Sequence, residues 1–278
     1  MTARFSSHAL IPRKCLTRQA TGAAQEAAQP GYFRVMPIQT DFGFPLSADS
    51  FLVKQNRALL RDFSESGLCL VAMSPEKLKD MQRFWGWTVE QLPGCLPSSA
   101  CVVKKEGNFD PECWVRWDYR GYRKAFASYL SICYPEFNSI LSTNVHVDHL
   151  EPRFRFSKGA RYFVRLHLIE RNVNAAYGAG FERNFYRAER AKPLHGAIHM
   201  SWLGFCKACG ILPPGKNVGT AAWQTWARRQ AREFAQESGE SAPDAYAGLL
   251  GVLQLGYTGY YSGEAEYFDF EAVRRAYQ

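Results

Sequence analysis

Long apolar runs are missing from this 278-residue chain. None reaches the roughly 18 to 20 residues a membrane helix needs, so no membrane partner is expected. No Gly-x-Ser-x-Gly elbow is present, which leaves the hydrolase nucleophile motif without a candidate. The glycines of "AAYGAGFER" are followed by no Lys-Ser or Lys-Thr, so a nucleotide phosphate loop is discounted. No internal repeat is visible. Acidic side chains are also in short supply: 26 Asp and Glu stand against 34 Lys and Arg, a net charge of +8. That excess favours a polyanionic partner: nucleic acid, an acidic protein or an anionic membrane surface.

Aromatic residues are plentiful, with 19 Phe, 14 Tyr and 7 Trp, enough to build a substantial core. Eight cysteines (Cys15, Cys69, Cys95, Cys101, Cys113, Cys133, Cys206 and Cys209) are scattered along the chain. A chain of this size needs no disulfide staples, so reduced, mostly buried thiols and a cytoplasmic location are expected. Residues 1–30 carry Arg4, Arg13, Lys14 and Arg18 against Glu26 alone. That balance resembles a transit segment, but it fits a flexible basic tail better.

Order is expected from Gly31 onward, in a single domain over 31–278. A break near 210–220 allows a helical C-terminal module over 216–278. Apolar spacing predicts a helix within 47–67 and a buried strand over 68–73. A helix then opens at Ser74-Pro75 and runs to Pro93-Gly94. Residues 96–114 read as irregular, and 118–132 as helix. "ARYFVRLHLIE" (160–170) alternates cleanly and is the clearest strand. "LHGAIHMSWLGFCKACG" (194–210) reads as one helix, as do the 220–239 segment and "SAPDAYAGLLGVLQLG". "LGYTGYYSGEAEYF" reads as an irregular aromatic patch. The fold class is α+β, mostly helical, with a small antiparallel sheet around residues 144–170.

Chemistry concentrates in "TNVHVDHLEPRFRF" (143–156). "NVHVDH" alternates, so Val145 and Val147 face the core while His146 and Asp148 face away. His149 closes the strand before Pro152. Asp148 and His149 can serve one site only if the strand bends. "VDHLEPR", a second strand and "ERNVNAAYGAGFERNF" together resemble the ββα unit of His-Me finger (HNH-type) nucleases. The resemblance covers 143–190. It implies His149 as the base that activates water and Asp148 as a ligand for Mg²⁺ or Mn²⁺. Asn172 or Asn174 would orient the His149 ring, with Asn174 preferred. The last ligand falls to Glu182 or Asn184, with Glu182 preferred, because no His occupies that place. Gly178 and Gly180 each disfavour the helix that should follow, by about 1 kcal/mol relative to Ala.

Arg153, Arg155, Arg161, Arg165, Arg171, Arg183, Arg187 and Arg190 fall in the same stretch, interleaved with aromatics. Guanidinium forks suit phosphates and rings suit bases. Arg153, Arg155, Arg165 and Arg171 are the phosphate-binding candidates, with Arg153 and Arg155 sharing one strand face. An alternative zinc set, His195, His199, Cys206 and Cys209, has the right donor types. On one helix, however, its ends would lie about 21 Å apart, so zinc is disfavoured. The expectation is a nucleic-acid-binding protein with a metal-dependent phosphodiesterase site. The alternative is a non-catalytic binder of DNA, RNA or an acidic protein, such as a regulator of a mobile element.

Overall fold

The structure is a computed structural model that describes residues 51–62, 69–107, 109–142, 144–187, 194, 196–258 and 269–277. The basic tail (1–30), His195 and most of the aromatic patch near the C-terminus lie outside these residues. In chain order the elements are α1 (Phe51–Arg61), β1 (Leu70–Met73), α2 (Pro75–Trp85), β2 (Thr88–Gln91), β3 (Ala100–Lys104) and β4 (Glu112–Arg116). Then come α3 (Tyr122–Cys133), β5 (Val145–His149), β6 (Phe163–Glu170), α4 (Arg171–Ala176), α5 (Ala179–Phe185) and β7 (Ala197–His199). α6 (Trp202–Ala208), α7 (Thr220–Ser238), α8 (Ala242–Thr258) and α9 (Phe270–Arg275) complete the chain. The fold is α+β, with helix the larger share. No helix among the described residues is long and apolar enough to cross a membrane.

The sheet has seven strands and is larger than the 144–170 pair expected. Its order is β2-β3-β4-β6-β1-β7, with β5 paired to β6 off that path, and every pairing among the described residues is antiparallel. β6 is the spine. Its first residues, Phe163 and Val164, pair with both β4 and β1, while Leu166–Glu170 pair with β5. Seven of its eight residues are buried because both faces are covered. Leu166 and Leu168 meet Phe51, Phe126 and Leu130 from α1 and α3. Ile169 joins a second core with Val71, Trp202, Phe205, Trp226, Phe234 and Leu249. That second core runs without a break from the sheet into α6, α7 and α8.

Three expected elements resolve differently. α2 stops at Trp85, because Gly86 turns left-handed (φ 64°) and returns its N–H to Met81, and β2 follows. The 96–114 stretch contains β3 and β4, each with four buried residues of five. Buried on both faces, these strands show no alternation to read. The 194–210 stretch is β7 followed by α6. Ser201 caps α6 by accepting from the Gly204 N–H at 3.1 Å, and Met200 N–H donates to Cys69 O at 2.8 Å.

α8 packs closely because of two glycines. The Trp202 ring lies directly on Gly248, and the Phe181 ring on Gly256, where any Cβ would collide. Phe181 belongs to α5, so the second notch also fixes the helix that carries Glu182.

Candidate functional site

β5 and β6 place the expected site residues by strand alternation. Val145, Val147 and His149 turn toward the α1–α3 core. His146 and Asp148 turn the other way, with Asp148 opposite His167 in register. Asp148 and His149 therefore leave the strand on opposite faces. Their hydrogen bond runs from the His149 backbone N–H to Asp148 Oδ1 at 2.8 Å and does not involve the imidazole.

The His149 ring packs 4.7 Å from the Tyr122 ring, and the residue is 7% exposed. Its Nε2 is buried, with no hydrogen-bond partner among the described residues. Burial, reinforced by nearby Arg153 and opposed by Asp148, pushes its pKa down to about 4. The ring is neutral at pH 7, but Nε2 is closed to solvent. A base that takes a proton from water needs contact with that water. The water-activating role expected of His149 does not fit this placement.

The two expected metal ligands do come together, with a cation already between them. Lys207 Nζ on α6 lies 2.9 Å from Asp148 Oδ2 and also pairs with Glu182 Oε1 on α5. Every residue of α6 is buried, and the Lys207 side chain is 8% exposed. Burial opposes the Asp148 charge, yet the Lys207 ammonium and its hydrogen bond hold that carboxyl below its usual range. At Glu182 burial prevails over Lys207 and the carboxyl is pushed up, with the Asp148 charge adding to the rise. Burial opposes the Lys207 charge too, but the two carboxylates raise its pKa.

A divalent ion wants several oxygen or nitrogen ligands and no cation beside it. Here there are two carboxylates and an ammonium. No group of three His, Cys, Asp or Glu fit to hold a metal occurs among the described residues. These residues do not fit Mg²⁺ or Mn²⁺. A small pocket opens beside Lys207, bordered by His149, Leu150, Pro152, Glu182, Tyr186 and Gly204.

Asn174 does orient a histidine, but it is His146. The Asn174 amide lies 3.2 Å from His146 Nδ1, and Arg171 Nε donates to His146 Nε2 at 3.3 Å. Arg171 can only donate, so Nε2 accepts and Nδ1 carries the proton. Asn174 must then present its oxygen. Asn172 caps locally, accepting from Val173 N–H at 2.9 Å, and Asn184 donates to Gly256 O at 3.2 Å.

The arginines divide into two groups. Arg165 is internal: Nη1 lies 2.6 Å from Asp62 Oδ2 and 2.9 Å from Glu112 Oε1. Lys105 Nζ lies 2.7 Å from Asp62 Oδ1 and 2.7 Å from Glu112 Oε1, closing a neutral quartet. Trp114 Nε1 donates to Glu112 Oε2 at 2.8 Å. Arg155 is 8% exposed at its side chain, pairs with Glu151 at 2.7 Å and lies over the Tyr186 ring. Neither Arg165 nor Arg155 is placed to receive a phosphate. "RFR" forms a 3₁₀ turn (Arg153–Arg155), so Arg153 and Arg155 do not share a strand face. Arg153 and Arg171 are exposed, as are Arg183 and Arg187.

The zinc set disperses. His199 lies on β7, Cys206 on α6 and Cys209 just past the end of α6. Burial pushes the Cys206 thiol up to about 12 and the Cys209 thiol well above its ordinary value, so both stay protonated and are poor ligands. The described cysteines are all free.

Comparison with protein-family models, curated proteins and solved structures finds no match to this chain. The functional reading therefore rests on geometry. Lys207, the cation at its centre, escaped the sequence reading, and His146 was placed on the outward strand face without a role. Lys207 had a signal: a lone lysine inside the apolar "WLGFCKAC" demands a buried partner.

Proposed function

We propose that this chain binds nucleic acid through arginine–phosphate contacts along β5, α4 and α5, without using a divalent metal. One observation carries the reading. Arg153, Arg171, Arg183 and Arg187 all remain exposed, and none has a carboxylate partner among the described residues. The buried cations Arg165, Lys105 and Lys207 are neutralised by carboxylates, whereas these four are left to solvent. Exposed, uncompensated guanidinium groups on one continuous segment are what a phosphate backbone recruits. The excess of +8 supplies long-range attraction in the same direction.

A second feature favours single strands. Phe84 and Trp85 are 66% and 55% exposed, with the Arg83 guanidinium 5.0 Å from the Phe84 ring centre. Exposed rings beside a cation stack on unpaired bases. The non-catalytic alternative is favoured over metal-dependent cleavage because the ammonium of Lys207 stands between the two carboxylates that cleavage would need.

The test is fluorescence anisotropy of a labelled single-stranded oligonucleotide across a salt series. Four phosphate contacts at roughly 0.7 each give a log–log salt slope of about −3. Changing Arg153, Arg171, Arg183 and Arg187 together to Gln should bring that slope close to zero. Phe84→Ala with Trp85→Ala should weaken single strands more than duplex. An unchanged slope in the arginine variant, or tighter binding to a polyglutamate peptide than to the oligonucleotide, would replace this reading with an acidic-protein partner or another surface.

A further inference from the structure

We propose that Lys207 is a resident cation standing in for a divalent metal, so that Asp148 and Glu182 form a metal-type carboxylate pair that works metal-free in this chain. The inference is independent of what the exposed arginines bind. Three elements converge on one ammonium: Asp148 from β5 at 2.9 Å, Glu182 from α5, and Lys207 from α6. Lys207 cannot swing clear easily. Its helix is buried along its whole length, and Trp202, Leu203, Phe205 and Ala208 around it belong to the largest core. Asp148 keeps its second oxygen on the His149 backbone N–H, which fixes the carboxylate toward Lys207. Glu182 is held by α5, whose Phe181 is seated in the Gly256 notch of α8.

The carboxylate spacing is therefore set by the fold, and one ammonium satisfies both. An added divalent ion would have to share the carboxylates with a fixed positive charge at contact distance, so the wild-type site excludes it. Removing the ammonium inverts the preference. It leaves two carboxylates facing each other beside the small pocket lined by His149, Leu150, Pro152 and Gly204.

The experiment is Mn²⁺ electron paramagnetic resonance on the full chain, paired with thermal melts in EDTA and in Mn²⁺. Wild type should bind no Mn²⁺ at millimolar concentration and should melt identically in both buffers. Lys207→Ala should bind Mn²⁺ at least tenfold more tightly than wild type and melt higher with the metal than in EDTA. Adding Glu182→Gln should abolish both effects. Lys207→Gln, which keeps the stem and drops the charge, carries the same expectation should the alanine variant fail to fold. The proposal is overturned by wild type binding Mn²⁺ that Asp148→Asn releases. It is equally overturned by a folded Lys207 variant with no gain in Mn²⁺ affinity.

Discussion

Arg165→Met separates an internal arginine from a phosphate-binding one. In the folded chain Arg165 supplies one of two cations to the quartet with Asp62, Lys105 and Glu112, whose ion-pairing side chains are 3–6% exposed. Methionine keeps much of the stem but removes the guanidinium, so two carboxylates are left with Lys105 alone and the quartet becomes net negative. Breaking a buried ion pair on one side costs about 3–5 kcal/mol, because the remaining charge keeps its desolvation penalty. Two short contacts to two carboxylates place Arg165 at the upper part of that range. A domain of this size holds about 5–15 kcal/mol in total, so the loss is large but survivable. Urea unfolding followed by far-UV circular dichroism would read it as a lowered midpoint at unchanged slope. Adding Asp62→Asn should restore part of the loss by rebalancing charge. Oligonucleotide affinity of the folded variant should be unchanged. A stability change within about 0.5 kcal/mol, the usual size for a surface position, would refute the buried quartet.

Acid should destabilise the chain through its buried histidines. The pKa values of His149 and His167 are held down by burial, to about 4 and about 3, while unfolded imidazole titrates near 6.5. The unfolded state therefore binds more protons, so this stability is complete above about pH 6.5 and is lost as pH falls toward 4 and 3. At pH 5 each histidine costs about 2 kcal/mol relative to pH 7. Urea midpoints at the two pH values, with His149→Phe removing about half of the difference, would check it. Equal midpoints at both would contradict the buried placement. Gly248→Ala should cost about 1–3 kcal/mol by overpacking against Trp202, again read by urea midpoint, whereas a surface glycine would tolerate it.

β6 was readable because "FVRLHLIE" pairs β-branched and long apolar side chains in alternation, and α7 because Trp223, Trp226, Ala227 and Phe234 mark one helical face. β3 and β4 were not, because "ACVV" and "CWV" are buried on both sides and carry no period. His149 was misjudged for a related reason. A strand end looks polar in sequence, but alternation sends position 149 to the same side as Val145 and Val147, under Tyr122. Asp148 and Glu182 were chosen as metal ligands, and the fold brings both carboxylates to one ammonium. What joins them is a lysine on a helix some sixty residues after β5, and no local pattern records a contact across that separation. Asn174 was chosen as a histidine holder and it holds one, three residues earlier in the strand than expected.

The most direct measurement is binding of a labelled single-stranded oligonucleotide to wild type, once in EDTA and once in Mn²⁺, with the oligonucleotide examined on a denaturing gel afterwards. Equal affinity in both buffers and an intact strand are the predicted result. Cleavage that appears only with Mn²⁺ and disappears in Asp148→Asn would contradict the account.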